Sequence, residues 1–233
     1  MTYNIRHGVG MDRVLDLTRT ARVIQAGNAD FVILNEVDHG TNRSFGILQA
    51  DSLGRLLDMY ARFGRSIDYD GGQYGNALLS RYPILNFTII DLSTDTLLEG
   101  RSVFQCRIEI PDDTLTIMGT HLGLKTEEQE EQIEHIVNAL KQSGKLILAG
   151  DFNFESNAKA YDVLTSHLAD GQRQLSSLPE FTFPADEPVR RIDYIFVGSD
   201  IQTFPSQPIL ISEISSASDH RPQRLHFHLT SSD

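Results

Sequence analysis

Where the apolar runs of this chain stop, a polar side chain repeatedly follows: Asn4, Glu36, Asn76, His121, Asp151, Asn153, Asp193, Asp219 and His220. Ligands of layered α/β folds collect at strand ends, so these residues are the first candidates for chemistry. Singly, each has an ordinary explanation: an asparagine turns or caps the chain, an acid is solvated in a loop, a histidine sits satisfied in a core. Jointly they require more, because carboxylates gathered in one compact fold are costly unless a cation or a proton compensates them. A hard cation answers that need. Oxygen donors with few nitrogens and no thiolate point to Mg²⁺ or Mn²⁺ over Zn²⁺.

The elements that must position these groups follow from hydrophobic spacing. Helices are expected over Asp12 to Ala26, Leu48 to Met59, Thr126 to Lys141 and from about Lys159 to His167, the third with an acidic face of Glu127, Glu128, Glu130 and Glu131. Strands are expected at Thr2 to Ile5, Phe31 to Leu34, Asn76 to Ser80, Ile84 to Leu92, Val103 to Ile110, Leu115 to Gly119, Lys145 to Ala149, Arg191 to Val197, Gln207 to Ile211 and Arg224 to Leu229. Gly71-Gly72 marks a loop, and Pro111-Asp112-Asp113 a turn. The succession of helix, apolar strand and carboxylate occurs twice, at Glu36 and at Asp151, which suggests two packed halves rather than a short-period repeat.

Composition narrows the class. The 233 residues are 40% hydrophobic and 22% charged, enough for one large domain over 1–233 and too balanced for extended disorder. A net charge of −12 argues against holding a polyanion through the bulk field. The single cysteine, Cys106, excludes an internal disulfide and a Cys-rich metal cage. No apolar run is long enough to span a membrane and the first residues lack a signal-peptide pattern, so a cytoplasmic monomer is expected. The chain has no complete P-loop, serine-hydrolase elbow or dinucleotide fingerprint.

Thr2-Tyr-Asn-Ile-Arg-His-Gly8, Asn35-Glu-Val-Asp38, Tyr74-Gly-Asn-Ala-Leu-Leu-Ser-Arg-Tyr-Pro83, Gly119-Thr-His-Leu122, Gly150-Asp-Phe-Asn153, Arg191-Ile-Asp-Tyr-Ile195 and Ser218-Asp-His220 together resemble the endonuclease/exonuclease/phosphatase, or DNase I-like, family. They run in the family's order over nearly the whole chain. The resemblance implies a four-layer α/β sandwich, two packed and mainly antiparallel β-sheets flanked by helices, which hydrolyses phosphate esters with a divalent metal in a cleft between the sheets' loops.

Residue by residue, the resemblance makes Glu36 the principal metal carboxylate, with Asn4 and Asp219 on the metal side. Asp151 would orient or deprotonate the attacking water, and Asn153 would contact the phosphate. Asp193 and His220 would form a pair whose imidazolium stabilises transition-state charge. His121 would contact phosphate, Asn76 would support the substrate cleft, and Arg101 would bind a substrate phosphate or bridge a loop. Arg6 stands where several members carry a second acid.

This set meets the needs of phosphoester hydrolysis, in which positive groups offset charge while a carboxylate activates water. A phosphodiester is the expected substrate, with a nuclease acting on DNA or RNA as one alternative and a non-catalytic binding module as another. No basic stripe with interleaved aromatics supports a single-strand binder, and no apolar insertion supports a lipid substrate.

Overall fold

The computed structural model describes all residues except 112, 141–144, 174–179, 206–208, 210 and 231–233. In chain order the elements are β1 (Thr2–Asn4), α1 (Leu17–Gly27), β2 (Phe31–His39), α2 (Gln49–Leu57), β3 (Tyr60–Tyr69), β4 (Gly72–Ser80), β5 (Ile84–Asp91), β6 (Ser102–Ile110), β7 (Asp113–His121), α3 (Thr126–Leu140), β8 (Leu146–Asp151), α4 (Lys159–Thr165), β9 (Ala169–Asp170), β10 (Asp193–Val197), β11 (Ile201–Phe204) and β12 (His226–Leu229).

Among the described residues, one sheet has the order β1-β2-β4-β3 and the other β5-β6-β7-β8-β10-β9, with β11 and β12 forming a separate ribbon. Pairing is antiparallel except between β1 and β2 and between β7 and β8. Three apolar clusters define the layers. Ile33 and Leu78 of the first sheet meet Phe104, Ile117 and Ala149 of the second. Val32, Leu34 and Leu79, on the first sheet's other face, pack under Val23, Ile24 and Leu53 of α1 and α2. Met118, Leu148 and Phe196 do the same under Ile133, Ile136 and Leu164 of α3 and α4. The result is helices, sheet, sheet, helices, as the motifs implied. A central strand buried on both faces has no polar alternation, which is why Phe31 to Leu34 reads as continuously apolar.

Several boundaries differ from those expected. Helix α1 begins at Leu17, not Asp12, because the Asp16 side chain accepts from Arg19 N and caps it. The Arg19 guanidinium meanwhile folds the preceding loop back by donating to both Asp12 oxygens and to Val14 O. Strand β2 continues past Leu34 to His39 through a bulge. Strand β3 was not anticipated: it is the edge of its sheet, and Arg62, Arg65 and Asp68 obscure its apolar pattern while protecting that edge from pairing. The short strands β9 and β11 were also missed. Glu128, placed with Glu127, Glu130 and Glu131 on the acidic face, is buried and accepts from Gln132. The expected strand at Gln207 to Ile211 and the turn at Asp112 fall largely outside the described residues.

Candidate active site

The two helix–strand–carboxylate units deliver Glu36 and Asp151 to the same end of the sandwich, one from each sheet. At the β2 bulge, Asn35 and Glu36 lie between the pairs Leu34–Ala77 and Val37–Gly75, so two residues face one on β4. Glu36 takes up the extra residue with φ +56°, a left-handed backbone uncommon for a residue with a side chain. On the other sheet, Gly150 precedes Asp151 at φ +154°, and a Cβ there would sit 1.8 Å from Thr120 O. Only glycine lets β8 approach β7 that closely.

Asn4, at the end of β1, joins the two acids. Its Nδ2 donates to Glu36 Oε1 at 3.0 Å and to Asp151 Oδ2 at 3.0 Å, while its Oδ1 accepts from Arg6 N. Asp151 and Asp193 are register partners on β8 and β10. His220 reaches both: Nδ1 lies 2.9 Å from Asp193 Oδ2, and Nε2 lies 3.6 Å from Asp151 Oδ2. Ser218 makes this possible by donating to Asn4 O at 2.7 Å and accepting from His220 N, which ties the 218–220 turn to β1. Phe183 packs against the imidazole with ring centroids 5.0 Å apart.

The remaining expected residues fall in and behind the same cleft. His121 Nε2 is 3.5 Å from Asp151 Oδ2, and its Nδ1 is 3.2 Å from Arg101 Nη1. Because a guanidinium can only donate, His121 Nδ1 is the acceptor and Nε2 carries the proton. Arg101 is buried and also pairs with Glu99 at 2.8 Å, so the loop ion pair forms even though its side chain borders the cleft. Asn153, at φ +54°, donates from Nδ2 to Leu122 O. Asp219 borders the cleft and pairs with Arg6 at 3.5 Å, so the residue standing at the second-acid position neutralises an acid instead. Asn76 lies one side chain back: it donates to Ser102 O and accepts from Asn35.

Asn35 escaped notice in the sequence although its motif was recognised. Fully buried, it accepts from Asp151 N at 3.0 Å and donates to Asn76 Oδ1 and to Thr120 O, each at 2.8 Å. It is the polar stitch between the sheets immediately behind the acids. Thr182 Oγ1 likewise accepts from Ile192 N and Asp193 N. No local pattern marks either role.

Burial and mutual repulsion set the protonation states. Burial raises Asp151 from the usual carboxylate range, with Asp193 adding to the effect and His220 and Asn4 opposing it. Burial raises Glu36 as well, offset in part by the Asn4 hydrogen bond and reinforced by Asp219. For His220 burial disfavours the charged ring, but Asp193, Asp151 and Asp219 outweigh it and lift the imidazolium to about 10. Burial, followed by Arg101 and His220, pushes His121 well below its ordinary value and keeps it neutral.

Asp151, Asp193 and His220 bring ligand-type atoms within 4.8 Å of one another. His220 directs both ring nitrogens at carboxylates, Nδ1 to Asp193 and Nε2 toward Asp151, an arrangement that suits a charged imidazolium. The donors suited to a cation are the carboxylates of Glu36, Asp151 and Asp219 in the same cavity. The raised proton affinity of Glu36 and Asp151 is the response of crowded acids that a hard divalent ion would relieve, so the residues fit such an ion. The cleft has a volume of about 390 Å³. A second cavity, of about 450 Å³, borders Phe31, Ile147 and Arg224 and includes none of the candidate residues.

Comparison with known proteins bears on the family and the fold. The sequence profile of the Endonuclease/Exonuclease/phosphatase family matches residues 1–220. The chain is 32% identical to the uncharacterised protein YbhP of Escherichia coli K12, over 98% of this chain and 95% of that one. The crystal structure of an endonuclease/exonuclease/phosphatase from Beutenbergia cavernae superposes with a TM-score of 0.80 at 25% identity, covering 98% of this chain and 70% of that one. The mannosyl-6-phosphatase of Bacteroides thetaiotaomicron superposes with a TM-score of 0.75 at 18% identity over 98% of each chain, a likeness of fold.

Proposed function

The chain belongs to the endonuclease/exonuclease/phosphatase family, and from that premise we propose that it is a Mg²⁺- or Mn²⁺-dependent hydrolase of phosphodiesters. The observation that carries this reading is the Asn4 amide, which holds Glu36 of one sheet and Asp151 of the other at 3.0 Å each, with His220 beside Asp151.

Glu36 and Asp219 would hold the ion, which supplies positive charge to the ester oxygens when bound. Ionised Asp151, held by Asn4 Nδ2 and facing His220 Nε2, accepts the proton of the attacking water. The imidazolium of His220, held by Asp193, donates from Nε2 to a phosphoryl oxygen as charge builds there. Asn153, fixed at Leu122 O, bounds the phosphate from the β8 side. Charge favours a diester. Arg43, Arg101 and His220 are each paired with an acid, Asp38, Glu99 and Asp193, and the carboxylates of Glu36, Asp151 and Asp219 offset a divalent ion, so the cleft has no surplus positive charge and a monoanion suits it better than the dianion of a monoester.

The direct test is nitrophenol release from bis(4-nitrophenyl) phosphate with Mg²⁺ and with a chelator, for wild type and Asp151→Ala. Metal-dependent release in wild type, reduced at least about a hundredfold in the variant, supports the assignment. Absence of metal-dependent release from this ester and from a panel of diesters and monoesters would favour the binding module.

A further inference from the structure

The mechanism leaves one elaborate construction in the cleft unused. The segment after β2 is folded around Asp38, a fully buried carboxylate that accepts from Thr41 Oγ1 at 2.7 Å and from Ser44 Oγ. Asp38 also accepts from Arg43 Nε at 2.8 Å and Nη2 at 2.7 Å. These two bonds take the Nε–Nη2 edge of the guanidinium and leave its Nη1–Nη2 end, with one hydrogen on each Nη, available. The guanidinium lies 4.5 Å from the ring centroid of Tyr69 and 5.4 Å from that of Tyr74. The Arg43 side chain is 29% exposed, and with both tyrosines it borders the cleft that holds Glu36 and Asp151. A phosphate alone leaves most of the roughly 390 Å³ unfilled.

We propose that Arg43, held by Asp38 and flanked by Tyr69 and Tyr74, is a specificity-determining subsite for a neutral hydroxylated group, a sugar ring or polyol, carried by the substrate's alcohol. The proposal rests on the reading that the scissile phosphate binds at the Glu36 end. A free guanidinium edge presents two parallel N–H donors, which match either two neighbouring hydroxyl oxygens or a second anion. Charge decides between them. Asp38 already neutralises Arg43, and Glu99 pairs with Arg101, which lines the same cleft, at 2.8 Å. An added anion would find no uncompensated cation there, whereas hydroxyl groups need none. Tyr69, 42% exposed, offers its ring to the C–H surface of a sugar, and the buried Tyr74 packs beside it with ring centroids 6.1 Å apart.

Three chromogenic diesters test this with Mg²⁺ present: glucose 6-(4-nitrophenyl phosphate), ethyl 4-nitrophenyl phosphate and 3-carboxypropyl 4-nitrophenyl phosphate. The expected result is a wild-type preference for the glucose ester over the ethyl ester in kcat/KM. Arg43→Met lowers that ratio about tenfold, mainly through KM, the loss of hydrogen bonds to a charged donor. Arg43→Lys does not restore it, because an ammonium lacks the fork, and Tyr69→Ala lowers it in the same direction. Equal use of the glucose and ethyl esters by wild type, a ratio unchanged in Arg43→Met, or preference for the carboxypropyl ester would each overturn the subsite. Calorimetric binding of the same esters to Asp151→Asn gives the ratio without turnover. Preferential binding of the glucose ester with no hydrolysis of any ester would therefore reject the hydrolase and keep the subsite, and hydrolysis without preference would do the reverse.

Discussion

His220 Nδ1 donates to Asp193 Oδ2 at 2.9 Å, and the imidazolium so held sits between two carboxylates that face each other across β8 and β10. Each acid alone would be an uncompensated buried charge; the shared ring makes the arrangement tenable. It also keeps His220 charged, raised to about 10, through the neutral range.

Activity therefore has a defined pH window. The acid limb follows ionisation of Asp151 and Glu36, both raised without an ion, so it moves to lower pH as the Mg²⁺ concentration rises and the ion takes over the compensation. The alkaline limb follows loss of the His220 proton near 10. In Asp193→Asn, the alkaline limb moves down toward the ordinary imidazole value of about 6.5, and kcat falls by about 10²- to 10⁴-fold. NMR titration of the His220 ring alongside the rate profile checks both. An alkaline limb that stays where it was in Asp193→Asn would refute the pairing.

Asn4 controls how the acids face a cation. Asn4→Ala removes the donor shared by Glu36 and Asp151, and the Mg²⁺ concentration for half-maximal activity is expected to rise about 10- to 100-fold. Glu36→Gln should raise it further. Mg²⁺ titration of initial rates measures this, and equal half-saturation in wild type and Asn4→Ala would contradict it.

Asn35 is a stability residue as much as a positioning one. Asn35→Ala leaves Asp151 N–H, Thr120 O and Asn76 Oδ1 without the partner they have in the wild type. A cost of about 1–3 kcal/mol is expected, read as a lower urea midpoint at unchanged slope. A midpoint within error of wild type would mean that the polar stitch is dispensable.

Away from the cleft, Arg191 donates to Asp170 Oδ2 and Oδ1 at 2.8 and 2.7 Å and lies over Tyr194. Burial would raise Asp170, but the Arg191 hydrogen bonds outweigh it and hold the carboxyl below its ordinary value. A depressed carboxyl contributes stability above its unfolded value, and that stability is lost as pH falls through the folded one. Arg191→Met strands the buried charge at a cost of about 3–5 kcal/mol at neutral pH, shrinking in acid as Asp170 protonates. Urea midpoints at neutral and acidic pH separate this from a packing defect, which would cost the same at both.

Much of the fold was legible in the chain. Apolar runs located β2, β5, β6, β7 and β8, helical spacing located the four α-helices, and the polar residues beside apolar runs included Glu36 at the β2 bulge, Asp151 at the end of β8 and Asp193 at the start of β10. The edge strand β3 was hidden because an exposed edge carries charges where a core strand carries aliphatics. Arg43 was hidden for a related reason: an arginine in a loop looks solvated until the buried Asp38 beneath it is seen.

The sequence by itself determined the helices, the apolar central strands and the polar groups beside them, because periodicity and turn chemistry act over a few residues. The tertiary structure alone decided which of those groups meet. Asn4 reaches Asp151 across 147 residues and Asn35 reaches it across 116, through the facing of two sheets that no local pattern encodes. Protonation was decided there too. His121 and His220 are the same residue type, yet one is neutral and the other charged, because burial dominates at the first and three surrounding carboxylates outweigh it at the second.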